Sequence, residues 1–568
     1  MKPHERKNQR MRKKLADLLH KTVAHCFEKG LLKEIPLPEF VVEIPNNPEH
    51  GHYATNLPMT LASSQKRSPR DIASIIVEQF NDDEGLIEKL EVAGPGFINF
   101  TIATGKWQDY LVSLLKAGEG FGRSEIGKGQ KVMVEFVSAN PTGPLHLGHG
   151  RGAALGDTLS KILGHCGYGV ATEFYINDAG QQLRLLGESI YSRWRQMSDP
   201  HYPFPENGYH GDYVLELARE ISAQYDLQAM TRDEAIELCA FEGEKRMLAE
   251  IQADLDRFRV HFDVWYSERE LVESGKLQRT LDGLRSSGHV YEHEGALWIR
   301  TTSFGDDKDR VVRKQDGSYT YFATDIAYHL DKWERGFTKA INIWGADHHG
   351  YIARMKAALE ASGIERDWLS VLLIQLVKLY QSGQEVKMSK RAGRYVTLKE
   401  LMDEVGVDAL RFVFLTKNHY SPLDVDIDLV KAQDANNPVY YVQYAHARAS
   451  SILRKAEEEG IRATPGDYNC VRLLGLEEEI TLIRIMAEFP WLLEDICRTL
   501  EPHRLTYYLG ELAAAFHRYF NLGTKNPECR VVQQDKELSK ARLLLTTAVR
   551  QVIFLGLKLL GVEAPERM

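Results

Sequence analysis

Apolar and polar positions change their period twice along this chain. LADLLHKTVAHCFEKGLL carries apolar residues at helical spacing, and PRDIASIIVEQF predicts a second helix opened by a proline in its first turn. VEIPNNPEHGHYATN, between them, is rich in turn residues. IEKLEVAGPGFINFTI then alternates as strand, turn and strand, broken at Gly94-Pro95-Gly96. Residues 1–118 therefore read as an α+β N-terminal domain, and the glycine-rich, charged stretch from Gly118 to Gly129 as a linker.

From about residue 131 the texture becomes that of βα units. VMVEFVSAN predicts a strand ending in polar residues, followed by a helix from about His146 to Gly164. GVATEFYIND, INIWGADHHG and VLLIQLVKLY predict three more strands. Short strands separated by helices imply a Rossmann-like parallel sheet with active residues at the strands' carboxyl ends. This domain spans 119–435, with a charged helical insertion at about 185–262 and a small β insertion at about 290–320. From Asn436 to the end, four segments repeat apolar residues at i, i+3, i+4 and i+7, so 436–568 predicts an all-α bundle. The fold class is multidomain α/β.

Composition narrows this little. A chain of 568 residues exceeds one core, and 43% apolar with 27% charged residues is ordinary for globular domains. No run of 18 or more residues is wholly apolar, so no membrane span is expected. The basic N-terminus MKPHERKNQRMRKK lacks the apolar core of a secretory signal; a basic helix start is favoured over a transit peptide. Six scattered cysteines without a C-x-x-C pair argue against a disulfide framework or structural zinc and fit a reducing cytoplasm. The net charge of −9 does not advertise a nucleic-acid binder. From Asn436 onward 17 basic residues balance 17 acidic ones, so the charge neither supports nor excludes such a partner.

Two short stretches carry the chemistry. In Pro144-Leu145-His146-Leu147-Gly148-His149 the imidazoles fall at i and i+3, on one face of a first helical turn. There amide N–H groups and the helix dipole favour phosphate. Gly148 and Gly150 suit close approach of a nucleotide, Pro141 and Pro144 stiffen the approach, and Thr142-Gly143 suits a tight turn. Competing readings are a packed polar pair, or a metal site that lacks acidic or cysteine partners at suitable spacing. A dinucleotide loop is a third, but the glycines of GHGRGAALG do not match G-x-G-x-x-G. The second stretch, Lys387-Met388-Ser389-Lys390, lies in a polar loop between Gly383 and Gly393. Mobile ammonium groups suit a pyrophosphate that is gripped and then released; taken alone, the loop reads as a solvated basic segment.

In this order, about 240 residues apart, the two stretches resemble the HIGH and KMSKS motifs of class I aminoacyl-tRNA synthetases. The fifth position of the second is Arg391 where the family has serine, with both lysines kept. EFVSANPTG, YFATDIAYH, the N-D-A-G stretch Asn177–Gly180 and Gly345–Gly350 are similar to the arginyl-tRNA synthetase family. So are Asp408-Ala409-Leu410-Arg411, VAGPGFINF and the ending Leu560–Met568. The likeness spans nearly the whole chain; only the first dozen residues and the insertion near 190–260 look idiosyncratic. A guanidinium stays charged and is told from an ammonium by carboxylates in fork geometry, which the chain supplies here at expected strand ends.

The resemblance implies ATP-dependent attachment of L-arginine to tRNA(Arg) through arginyl-adenylate. It implies that His146, His149, Lys387 and Lys390 stabilise developing charge. Pro144, Gly148, Gly345, Asp347, Met388 and Ser389 would complete the ATP site. Asp325 and Tyr321 would bind the guanidinium with Glu135 nearby, Ser138 and Asn140 would hold the α-amino and carboxylate end, and His348 would stand beside them. ATP enters with Mg2+ as a substrate complex, and no tightly bound metal is expected. tRNA is expected to bind before arginine is activated, its anticodon at the bundle and its elbow at the N-terminal domain. Tyr440, Tyr444 and Arg448, with Tyr441 and His446, suit stacking on anticodon bases, although the same spacing suits core residues. A monomer in the cytoplasm, away from membranes, is expected. The rivals are weaker: a cysteine-type synthetase needs zinc, and short H-x-G-H nucleotidyltransferases lack the bundle. A non-catalytic tRNA-binding relative commonly loses a motif histidine or lysine.

Overall fold

A computed structural model describes residues 11–386 and 396–568; Lys387, Met388, Ser389, Lys390 and Arg391 lie outside them. In the N-terminal domain, helices Met11–Glu28, Leu57–Gln65 and Pro69–Gln79 accompany a four-stranded antiparallel sheet. Ser68 caps the third helix by accepting from Asp71 N, with Pro69 where no N–H is needed. The turn-rich segment holds two short strands, Val42–Glu43 and Tyr53–Thr55, paired to each other, and the second also pairs with Phe97–Ile102.

The catalytic sheet contains β1 (Lys131–Glu135), β2 (Gly169–Ile176), β3 (Val264–Ser267), β4 (Lys339–Gly345) and β5 (Leu369–Ile374). All are parallel in the order β5-β4-β1-β2-β3. The direction of winding reverses between β1 and β4, so a crevice opens at their carboxyl ends. Helix α1 (Leu147–His165) covers one face with Val132, Val134, Ile341 and Ile343. Helices α2 (Tyr321–Glu334) and α3 (His349–Ala361) cover the other with Ala340 and Leu369.

Three sequence expectations change. VLLIQLVKLY is two strands: β5 stops at Ile374, and Val377–Gln381 enters a separate sheet with Gln384–Glu385 and Leu423–Asp426. Backbone bonds Gln375 N to His419 O (3.0 Å) and Leu423 N to Leu376 O (3.1 Å) bend the chain there. β3, an edge strand of four residues, directly follows the region expected to be insertion. Tyr321 and Asp325 sit on the first turns of α2 rather than at a strand end, because Thr320 Oγ1 accepts from Ala323 N (3.3 Å) and starts the helix.

The insertion forms helices Gln181–Gln196, Asp212–Gln224 and Arg232–Arg257 around a small core of its own that includes Leu186, Ile190, Val214 and Ile236. The short helix α4 (Val407–Phe414) leads into the bundle of α5 (Pro438–Glu458), α6 (Glu477–Thr499), α7 (His503–Lys525) and α8 (Lys536–Leu560). By length and composition α8 is apolar enough to cross a bilayer, but Leu545, Val549, Val552, Leu557 and much else of it are buried in the bundle. The N-terminal domain docks on α6, where Arg12 and Tyr53 Oη (2.7 Å) both bond Glu488.

Candidate active site

β1 ends at Glu135, and the chain turns through Val137 (φ 69°) and Ser138 (φ 42°), left-handed positions that side chains seldom adopt. Ser138 is clamped there: its Oγ donates to Glu135 Oε1 (3.1 Å) and accepts from Tyr175 N (3.2 Å). Asn140 Nδ2 donates to Gln182 Oε1 (2.7 Å), and Tyr213 Oη of the insertion donates to Thr142 O (2.7 Å). The insertion thus braces the loop that delivers the histidines.

His146 is the N-cap of α1. Its Nδ1 accepts from Gly148 N (3.1 Å), while His149 Nδ1 accepts from His146 N (3.2 Å), a capping box built from two imidazoles. The rings stack with centroids 3.7 Å apart. Because both Nδ1 atoms accept, each neutral ring carries its proton on Nε2. The glycines here also have close protein neighbours. A Cβ at Gly148 would lie 3.1 Å from His146 Cε1; at Gly150 it would meet Leu398 Cδ1 at 2.7 Å, and at Gly152 Ile374 Cδ1 at 3.2 Å. At these positions glycine lets a histidine fold back and a helix pack closely. Just past the lysine stretch, Leu398 N donates to Leu145 O (2.8 Å) and Thr397 bridges His146.

On the opposite face of the sheet Asp325 is partly buried and accepts from Tyr351 Oη of α3. Burial pushes its carboxyl up to about 7, against the Tyr351 hydrogen bond, with the charge of Glu135 adding to the rise and Lys332 opposing it. Tyr321, one turn earlier, is exposed, and its Oη stands 3.7 Å from where a Cβ of Gly180 would be. Glu135 already has partners. Its Oε2 accepts from Lys332 Nζ (2.6 Å) and its Oε1 from Ser138. Lys332 is fully buried, reaches Asn342 Oδ1 (3.3 Å) and lies 4.1 Å over the Tyr328 ring. His329 joins Asp325 O (2.7 Å) to Asn342 Nδ2 (2.9 Å), and burial pushes it down to about 3, so it stays neutral.

Glu268 escaped the sequence reading. It follows β3, is 5% exposed, and accepts from Asn177 Nδ2 (2.9 Å) once that amide is turned to satisfy its neighbours. Burial, then the charge of Asp325, pushes it up to about 7. Recognising β3 in VWYS would have placed Glu268 at a strand's carboxyl end. Asp178, by contrast, is a latch: Ser267 Oγ (2.5 Å) and Arg269 N (2.8 Å) both donate to it. Gly345 ends β4; Asp347 and His348 are exposed on the turn Ala346–His348, with the His348 ring 6.4 Å from Tyr351.

On α5 the tyrosine face divides. The Tyr440 and Tyr444 rings stack at 6.0 Å, and Arg448 lies 4.6 Å over Tyr444 and 4.4 Å over Phe520. His446 is buried on Pro565 O (2.9 Å) and Tyr441 packs edge-on to His517, so these two serve the core. Among the described residues no group of three His, Cys, Asp or Glu side chains is disposed to hold a metal, and all six cysteines are unpaired thiols.

Three domain families match in sequence. They are the "Arginyl tRNA synthetase N terminal domain" over residues 9–102, "tRNA synthetases class I (R), catalytic domain" over 111–435, and "DALR anticodon binding domain" over 442–568. The arginine–tRNA ligase of Desulfosudis oleivorans is 49% identical over 562 residues, covering 98% of this chain and 100% of that protein. That of Bacillus subtilis is 45% identical over 558 residues, covering 98% and 99%. A putative arginyl-tRNA synthetase from Campylobacter jejuni superposes with a TM-score of 0.74 at 35% identity, over 82% of this chain and 100% of that one. The Thermus thermophilus arginyl-tRNA synthetase shares the fold at a TM-score of 0.75 and 23% identity, over 98% of this chain and 100% of that one.

Proposed function

The chain belongs to the arginyl-tRNA synthetases of class I, arginine–tRNA ligases that work through an arginyl-adenylate, and we propose which residues carry each step. Arginine's carboxylate attacks the α-phosphate of ATP and pyrophosphate leaves, so negative charge grows on the non-bridging and leaving oxygens. His146 and His149 present Nε2–H donors at a helix N-terminus to that charge, and Lys387 and Lys390 grip the departing pyrophosphate. Pro144, Gly148, Gly345, Asp347, Met388 and Ser389 frame the nucleotide, which enters as its Mg2+ complex.

Asp325 takes the guanidinium with Tyr321 above it, while Glu135 supports from behind through Lys332. Ser138 and Asn140 hold the α-amino and carboxylate end, and His348 borders the pocket. The tRNA binds before arginine is activated, and its terminal adenosine then attacks the adenylate through the 2′-OH. The face of Tyr440, Tyr444 and Arg448 stacks on anticodon bases, and the domain of residues 1–118 meets the elbow. The enzyme works as a cytoplasmic monomer.

The observation that carries the amino-acid assignment is Asp325, a partly buried carboxyl near other carboxyls, where a cation would relieve the repulsion. The test is charging of bulk tRNA with each amino acid in turn. Asp325→Asn should lower arginine charging several hundred-fold, about 4 kcal/mol for a lost buried ionic hydrogen bond. Charging by that variant at the parental rate overturns the assignment.

A further inference from the structure

The insertion has a core of its own, yet it takes hold of the ATP side of the crevice. The hold falls on the loop before His146. Asn140-Pro141-Thr142-Gly143-Pro144 belongs to no helix or strand, and its two prolines bring no N–H to bond. Thr142 is nevertheless 7% exposed, and a backbone carbonyl so enclosed needs a partner. Tyr213 supplies it, its Oη donating to Thr142 O (2.7 Å).

The insertion is built to aim that phenol. Tyr213 stands in the first turn of the helix Asp212–Gln224, whose Val214, Leu217 and Ile221 are locked in the insertion's core, so the ring has a fixed base. Just before it Gly211 is buried, and a Cβ there would meet Tyr213 Cε1 at 2.4 Å and Cδ1 at 2.6 Å. Gly211 has φ −62°, which any residue adopts, so glycine stands there to make room for the ring. On the far side of the histidines, Arg257 pairs with Asp403 (2.6 Å) of the helix Leu398–Val405. That pair is at the surface and adds little energy by itself. Its helix, however, begins at Leu398, whose N donates to Leu145 O (2.8 Å), the residue before His146. The segment Thr142–Leu145 is therefore held at one end by the insertion and at the other by the helix that follows the lysine stretch. His146, as N-cap of α1, takes its direction from where that segment delivers it.

We propose that Tyr213 is a positioning residue for the ATP step: through the Thr142 carbonyl it fixes the backbone that aims His146, which makes the insertion part of the catalytic frame. This rests on the assignment of His146 to the developing charge. Transition-state stabilisation by a fixed donor tolerates little misplacement, so a loop that drifts loses rate before it loses substrate.

The experiment is steady-state charging of tRNA(Arg) by the full-length enzyme and its Tyr213→Phe variant, which removes one oxygen and keeps the ring. Turnover should fall about 10-fold, the scale of a lost hydrogen bond to a buried acceptor, with the KM for arginine changed by less than about twofold. The same substitution is then made in His146→Ala. There the lost hydroxyl should cost less than about twofold beyond His146→Ala alone, because the group it positions is gone. An equal loss in both backgrounds would make Tyr213 a dock for the insertion that does not act through His146. A raised KM for arginine with turnover intact would place its effect on binding. Either result overturns the proposal. His146→Ala separates the two levels. If it turns over as the parent does, the assignment of His146 fails; if it is slow while Tyr213→Phe matches the parent, only Tyr213 falls.

Discussion

Replacing Asp325 by asparagine should make the empty enzyme more stable at alkaline pH while disabling it. The carboxyl is pushed from 3.8 up to about 7, roughly three units. At 1.36 kcal/mol per unit, that sets a ceiling of about 4 kcal/mol on the strain its charge imposes on the folded state. The sign follows from the raised value. Between about pH 4 and pH 7 the folded chain keeps a proton that the unfolded chain has lost, so stability falls as pH rises through that window, and the full penalty stands above it. Asparagine has nearly the same shape and can still accept from Tyr351 Oη, but that hydrogen bond is no longer charge-assisted, which returns about 1 kcal/mol or more. The net expectation is a gain of about 2 kcal/mol near pH 8 and little near pH 4, or about 3 °C in the melting temperature of the catalytic domain at the higher pH. Melting curves of parent and variant at both pH values, with and without arginine, are the assay. Arginine should raise the parent's melting temperature at pH 8 and leave the variant's unchanged. A variant that melts below the parent at pH 8 would mean that Asp325 is held by stabilising partners, and the reasoning would fail.

Two further outcomes test the neighbouring groups. Lys332→Met leaves the Glu135 carboxylate buried without its cation and should cost about 3–5 kcal/mol in urea unfolding; adding Glu135→Gln should recover most of it, and additive losses would refute the pairing. His149→Ala should slow turnover about 100-fold with little change in arginine affinity, and the reverse pattern in steady-state kinetics would contradict a role in stabilising developing charge.

Much of this was legible because period and motif spacing are local properties. The helix beginning near His146, a strand within VMVEFVSAN and the four bundle helices all emerge where the apolar pattern says they should. What was missed depends mostly on partners distant in sequence. Nothing in VLLIQLVKLY announces that His419 and Leu423 will split it. EFVSANPTG offers Glu135 as a ligand, and only the fold brings Lys332, 197 residues away, to neutralise it. Glu268 lay at the end of a four-residue edge strand, too short for alternation to stand out. Nor does GHGRGAALG announce that Leu398 packs against Gly150 and Ile374 against Gly152.

The tetrapeptide Asp408-Ala409-Leu410-Arg411 shows what a motif can mean once its partners are visible. Its two charged residues are at i and i+3 on α4, so both face the same side. Asp408 pairs with Arg259 at the end of the insertion and accepts from Gln443 Nε2 of α5 (2.9 Å) and Glu563 N (3.1 Å). Arg411 is fully buried; it donates to Leu560 O at the end of α8 (2.9 Å) and to Phe258 O (2.8 Å), and it pairs with Asp157. Asp157 lies on α1, about two turns beyond His149. One guanidinium therefore joins the last bundle helix, the end of the insertion and the helix whose first turn holds both histidines. A Cβ at Gly561 would collide with it, which is why the chain passes there as glycine with φ 68°. No lysine could replace this arginine, because three acceptors in different directions need a planar fork. The tetrapeptide is a joint between the bundle, the insertion and the helix that begins at the two histidines.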